Sequence, residues 1–290
     1  MKLGLQFSLS VSAVAAMTLA GCGTETGTSA ISTEPQPSAS ADCSKDALKT
    51  IVPGTLTVAT DTPAYSPYFE DDDPANGRGF ESALTYAVAG KLGFASGDVS
   101  WVRAPFSKAL SAGEKSFDFD INQVSITAKR GESVDFSKGY YSVNQAVIAL
   151  KDSTIAAATS VAALKRAKLG AAQGSTSLAV IKDVVRPTKP VVAFTDTVQA
   201  EAALAGKQVD GIVVDLPTAF TITESELDNT MIVGQFEPQG KMEEFGLVLV
   251  KDSPILGCVN QAIVELKQSG ELKRIQDLWL AGETAPILTP

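Results

Sequence analysis

Strand and helix alternate twice along this chain, with a break between the two runs, and no other feature narrows the possible folds as far. LTVAT (residues 56–60) reads as a short strand. After a proline-containing loop, FESALTYAVAGKLG has helical spacing, with Phe80, Leu84, Ala87, Val88 and Leu92 on one face and Gly93 closing the end. VSWVRA and FDFDINQ are further strands. The alternation resumes with KLGAA (168–172), a helix over about 177–185, PVVAF (190–194), the helix VQAEAALAG and the strand VDGIVVD (209–215). Such alternation predicts α/β sheets with parallel strands, here in two units. FGLVLVK and two C-terminal helices, PILGCVNQAIVELKQSG and ELKRIQDLWLAG, complete the chain.

Composition supports two packed units. The chain has 290 residues, 44% hydrophobic and 20% charged, enough to bury a core in each lobe. With 24 basic against 33 acidic residues, a net charge of −9 and no basic stripe, nucleic acid is not an expected partner. The chain has no histidine, which removes His-based triads and the usual zinc sites. After the acidic run at 70–73, Ala75 and Asn76 fall where a calcium loop needs a ligand and a glycine, so no metal or cofactor is expected. MKLGLQFSLSVSAVAAMTLAGC opens the sequence with a lysine and a short apolar, small-residue run, the pattern of a secretory signal over residues 1–21. Its end, Leu19-Ala20-Gly21-Cys22, resembles a lipobox, which implies lipid on Cys22 and anchorage to the outer face of the cell membrane; a chance cysteine after an ordinary signal is the alternative. Residues 22–44 carry a single large apolar side chain, Ile31, and read as a flexible tether. Cys43 and Cys258 remain, and in an exported chain they are expected to form a disulfide that ties the first ordered residues to a C-terminal helix; two buried thiols are the alternative.

INQVSITAKR (121–130) begins as a strand and breaks into amide and hydroxyl side chains before a single arginine. Taken alone, Arg130 could be a solvated helix residue after a turn capped by Thr127. Asp215 could be the N-cap of a helix entering Leu216 and Pro217, and Ser175, Thr176 and Ser177 could all be capping residues. By strand alternation Asp118, Asp120 and Asn122 share one face and Gln123 takes the other. An aspartate at 120 must be paired, exposed or turned to a cleft.

TVATD, the aromatic-proline loop, GF before an acidic residue and a helix ending KLG, then DFDINQVSITAKRGESVDFSKGYY, LGAAQGSTS and VDGIVVD together resemble the polar amino-acid binding proteins of bacterial ABC importers, the extracellular solute-binding proteins of family 3. The resemblance runs in order over about residues 45–280. It implies a type II-like periplasmic-binding-protein fold, with one lobe of residues 45–143 plus 248–290 and another of 144–247, joined by crossovers near Val143 and Asn144 and near 246–248. It implies a monomeric extracytoplasmic receptor that captures a polar or cationic amino acid and delivers it to importer permease subunits. By the same resemblance Arg130 holds the ligand's carboxylate in a bidentate fork and Asp215 takes its ammonium. Ser125 and the backbone at Asn122 and Gln123 hold the α-groups, Ser175 and Thr176 lie at an anion-facing helix start, and Asp61, Tyr65 and Phe106 form the side walls. Tyr65 lies one residue beyond the family's spacing from Asp61, so Tyr68 competes for the aromatic role; Phe106 is either a pocket wall or core. Asp120, where relatives carry an apolar residue, departs from the pattern. The same fold hosts cyclohexadienyl dehydratases, and a sensory module that reports ligand without delivering it is a further alternative; neither an activated nucleophile nor a fused signalling segment favours them.

Overall fold

A computed structural model describes residues 42–238, 240–280 and 284–290; the signal segment and Cys22 lie outside them. The chain builds a first sheet with β1 (Leu56–Thr60), β2 (Val99–Arg103), β3 (Phe119–Asp120) and β4 (Asp135–Phe136), crosses through β5 (Tyr141–Val143), and enters a second with β6 (Gln145–Leu150). There it adds β7 (Leu169–Ala172), β8 (Val192–Phe194), β9 (Gly211–Asp215) and β10 (Thr230–Phe236) before returning through β11 (Glu243–Phe245) to β12 (Val248–Leu249). A last strand, β13 (Ile287–Leu288), follows. Helices α1 (Phe80–Lys91), α2 (Phe106–Ala109) and α3 (Ala128–Gly131) belong to the first passage, α4 (Thr176–Val180), α5 (Thr197–Ala205) and α6 (Leu216–Thr221) to the second, and α7 (Leu256–Gln268) and α8 (Glu271–Trp279) to the return. Among the described residues no helix is long and apolar enough to cross a membrane.

Strand order is β2-β1-β3-β12-β4 in the first sheet and β13-β10-β6-β9-β7-β8 in the second. The alternation rule is correct for strands connected by helices: β1 runs parallel to β2 and β3, and β7 to β8 and β9. It fails for the strands entered straight from a crossover. β6 is antiparallel to β9, and β12 to β3 and β4, because these strands run away from the junction of the lobes whereas the helix-connected strands run toward it. Within VDGIVVD, residues 211–214 (GIVV) form an unbroken apolar run because both faces of the sheet are covered. Val147, Leu169 and Val213 fill the core on one side and Ile148, Ile212 and Val214 the core on the other. In the first lobe α1 and α7 close one face over Val58, Phe119, Leu84 and Ile263. Gly79 has φ +94°, and a Cβ there would lie 2.4 Å from the carbonyl oxygen of Tyr68, so only glycine lets the loop press against the start of α1.

Two boundaries differ from the sequence reading. The return crossover is Glu243–Phe245, paired antiparallel with Tyr141–Val143, slightly earlier than 246–248. The C-terminal residues do not all stay in the first lobe: β13 pairs with β10, Gln235 opposite Ile287 and Phe236 opposite Leu288. The free edge of β10 is thereby covered, Leu288 is buried in the second lobe's core, and a Cβ on Gly234 would meet its side chain at 2.8 Å.

Cys43 and Cys258 form a disulfide spanning 215 residues of sequence, pinning the segment before β1 to α7. The double substitution Cys43→Ser, Cys258→Ser is expected to cost about 2 kcal/mol or more. In a chain of this size that lowers Tm by about 5 °C or more. Calorimetry of both forms checks it, and an unchanged Tm would mean the bond adds no stability.

Candidate ligand-binding site

The helix-connected strands end at the junction of the lobes, where side chains just beyond a strand's carboxyl end face a shared crevice. Asp61 follows β1, Phe106 opens α2 after β2, Asn122, Gln123 and Ser125 follow β3, Ser175 and Thr176 follow β7, and Asp215 ends β9. These residues, with Tyr65 and Arg130, line one cleft. All ten residues singled out in the sequence are therefore brought to a single place. Tyr65 reaches the cleft, whereas Tyr68 is fully buried in the first lobe's core with its ring edge-on to Phe245 at 6.2 Å.

Arg130 sits in the short helix capped by Thr127, whose Oγ1 accepts from the Arg130 N–H at 3.2 Å. Its Nη1 donates to the Ser125 carbonyl at 2.7 Å and its Nη2 to the Gly174 carbonyl at 2.9 Å. The first bond is within one lobe and the second reaches the other. The guanidinium also lies 5.3 Å from the Phe106 ring centroid, so Phe106 is both wall and cation–π support. Two of the five N–H donors of a guanidinium are thus used for positioning, and the rest remain for a ligand.

Asp215 stands at the N-cap of α6, but its side chain makes no capping bond. Its Oδ1 accepts from Gln145 Nε2 at 2.5 Å. Burial pushes its carboxyl up to about 8, with Glu243 adding to the shift and Gln145 and Arg130 opposing it. Ser175 is a cap: its Oγ accepts from the Leu178 N–H at 3.1 Å. Asp61 accepts from the backbone N–H of Thr62 at 2.7 Å and of Phe106 at 3.1 Å, so it also shapes the wall it lines.

Under the cleft floor, Glu81 is completely buried and accepts from the Gln123 backbone N–H at 2.8 Å, the Gln123 side-chain amide and the Tyr140 hydroxyl. Burial raises its carboxyl to about 7 against those three donors. These bonds hold Gln123 at φ +48° and commit its amide to the floor. Asp118 accepts from the Ile51 and Thr57 N–H groups, a backbone tie rather than a cleft group. Asp120 is completely buried and does not line the cleft.

Asp196, which lines the cleft, escaped the sequence reading, and so did two polar residues behind the lining. Gln145, the first residue of β6, was hidden in the apolar run QAVIAL, where its polarity at the crossover was the available signal. Glu243, on β11, accepts from Thr176 Oγ1 at 2.6 Å, from Gln145 Nε2 at 3.2 Å and from Ser125 Oγ. Nothing in the sequence around Glu243 marks it.

The sequence profile of the bacterial extracellular solute-binding proteins, family 3, matches residues 56–282. The chain belongs to that family. Among family 3 relatives, the arginine-binding extracellular protein of Bacillus subtilis (strain 168) is 27% identical over 230 residues, 76% of this chain and 84% of that protein. The lysine/arginine/ornithine-binding periplasmic protein of Escherichia coli (strain K12) is 27% identical over 237 residues, 76% of this chain and 85% of its own length. An ancestral arginine-binding protein solved bound to glutamine superposes with a TM-score of 0.67 at 28% identity, covering 80% of this chain and all (100%) of that one. The fold is accordingly the two-lobed type II architecture of periplasmic amino-acid-binding proteins.

Proposed function

We propose that this solute-binding protein is an extracytoplasmic receptor that captures a free L-amino acid between its lobes and delivers it, as a monomer held to the membrane by lipid on Cys22, to an ABC importer. The observation that carries the reading is the pairing, in one cleft, of a fixed guanidinium at Arg130 with a carboxyl at Asp215. An amino acid taken out of water needs a partner for each of its charges, and these two groups have the matching signs. Side-chain preference follows from the remaining lining charges. Arg130 faces Asp61, Asp196 and Asp215, so a zwitterion leaves the cleft acidic and a cationic side chain offsets it. Relatives that bind arginine or lysine agree with this, and glutamine is the next candidate. Delivery without chemical change is the reading, since the matched relatives are binding proteins. A structural neighbour described as a precursor of cyclohexadienyl dehydratase makes turnover of a cyclohexadienyl acid the control assay.

A thermal-shift screen of the refolded, ligand-stripped protein against each L-amino acid tests the reading. Ligand at a hundred times its Kd should add about 2.7 kcal/mol. Calorimetry of the hit then tests Asp215. With its carboxyl at about 8, Asp215 holds a proton at pH 7 in the free protein, and pairing with an ammonium requires it to ionise. Binding should release about one proton at pH 7, and affinity should rise by up to about tenfold per pH unit between pH 6 and 8. An affinity flat across that window would remove Asp215 from the ammonium site.

A further inference from the structure

Glu243 lies on a crossover strand, yet its carboxylate holds side chains from both lobes. Ser125 Oγ of the first lobe and Thr176 Oγ1 of the second both donate to its Oε1, the latter at 2.6 Å. Gln145 Nε2 donates to its Oε2 at 3.2 Å and to Asp215 Oδ1 at 2.5 Å. The amide's orientation is fixed independently, because Ser177 Oγ donates to Gln145 Oε1 at 2.6 Å. The Gln145 amide protons are therefore directed at the carboxyl groups of Asp215 and Glu243, with a longer contact to Thr176 Oγ1 at 3.4 Å. An ionised carboxylate only accepts hydrogen bonds, so the single proton of each hydroxyl must point at Glu243. Ser125 and Thr176 line the ligand cleft, and Glu243 does not. With its proton on Glu243, each hydroxyl has only lone pairs left to offer the cleft; those of Thr176 are shared with long contacts to Ser125 Oγ at 3.3 Å and Gln145 Nε2 at 3.4 Å.

We propose that Glu243 is a positioning residue for ligand polarity: by taking the hydroxyl protons of Ser125 and Thr176 and anchoring Gln145 against Asp215, it makes this wall an acceptor surface that receives the ligand's ammonium and leaves its carboxylate to Arg130. This rests on the amino-acid receptor reading and changes one part of the sequence-based expectation: the Thr176 hydroxyl serves a donor on the ligand and not an anion. Replacement by glutamine cannot preserve the pattern. If the new amide keeps its oxygen on the hydroxyls, its NH2 opposes the NH2 of Gln145. If it flips, its NH2 faces the hydroxyls, and their protons turn into the cleft.

The experiment compares wild type with Glu243→Gln by calorimetry, using L-arginine, L-histidine and L-glutamine, the desamino acid of each, which lacks the ammonium, and the methyl ester of each, which lacks the carboxylate. The expected result is a loss of at least about tenfold for the amino acid and its ester in Glu243→Gln, with the desamino acid changed by less than about threefold. Ser125→Ala should reproduce the ammonium-specific loss with Glu243 intact, and ligand-free melting of each variant reports whether it folds. Equal losses for all three compounds, an ester spared while the amino acid is weakened, or no loss at all would overturn the role of Glu243 while leaving the receptor reading in place. A wild type that binds none of the L-amino acids in the thermal-shift screen would overturn the receptor reading, and this inference with it.

Discussion

Arg130→Ala should come close to abolishing amino-acid binding, a loss of roughly 2–5 kcal/mol, or about 30- to 5,000-fold in Kd. Arg130 is the only cationic side chain lining the cleft among the described residues. It is also already positioned: two carbonyl acceptors and the Phe106 ring fix the guanidinium before a ligand arrives, so little ordering cost remains. Its bond to the Gly174 carbonyl ties one lobe to the other, and the substitution therefore weakens closure as well as ligand contact. Arg130→Lys should recover only a small part, because an ammonium cannot span two carbonyls, stack on Phe106 and present a planar fork at once. Titration calorimetry decides the matter. An affinity for the wild-type ligand within threefold would place the carboxylate elsewhere.

The sequence made the strand-end residues readable because each one's location follows from its own neighbourhood. Asp61, Asn122, Ser125, Thr176 and Asp215 were named through the resemblance of their local motifs to the family, and the structure places each at, or within five residues past, the carboxyl end of a helix-connected strand, where side chains face the crevice. Residues that act across long separations were not readable. Glu243 bonds Ser125 across 118 positions and Thr176 across 67, and no local pattern encodes such a meeting. The same limit hid Glu81, read only as the acidic residue after GF, whose amide partner on Gln123 is 42 positions away. Tyr65 and Tyr68 differ only by a turn of the loop, in which the Tyr68 N–H donates to the Tyr65 carbonyl at 3.1 Å, sending one ring to the cleft and the other to the core. The C-terminal tail was misassigned because ILTP carries no hint that β10 has an edge to cover.

Asp120→Asn should stabilise the protein increasingly as pH rises, and the reason is a burial that composition alone would not suggest. Asp120 lies beside Ala59 in the sheet, is completely buried, and neither of its carboxylate oxygens has a hydrogen-bond partner among the described residues. Removal from water raises its pKa well above the ordinary carboxylate range; Glu81 and Asp61 add to the shift and Lys115 opposes it weakly. The folded chain therefore holds this proton more tightly than the unfolded chain does. Its stability is fully present below the unfolded pKa, near 3.9, and declines as pH rises toward the folded pKa, by at most about 1.4 kcal/mol per pH unit. Asparagine has nearly the same shape and no proton to lose. Urea unfolding of wild type and Asp120→Asn should give similar stabilities near pH 4 and a gap in favour of the variant that widens through pH 7. Glu81, whose raised carboxyl produces a slope of its own, is present in both proteins and cancels in the difference. Parallel stability curves would mean that Asp120 finds a partner or solvent in solution. Because Asp120 lies outside the cleft lining, ligand affinity at pH 7 should stay within about threefold of wild type. A large loss of affinity with a widening stability gap would instead show that the carboxyl is kept, at a cost in stability, to set the field under Asn122 and the ligand.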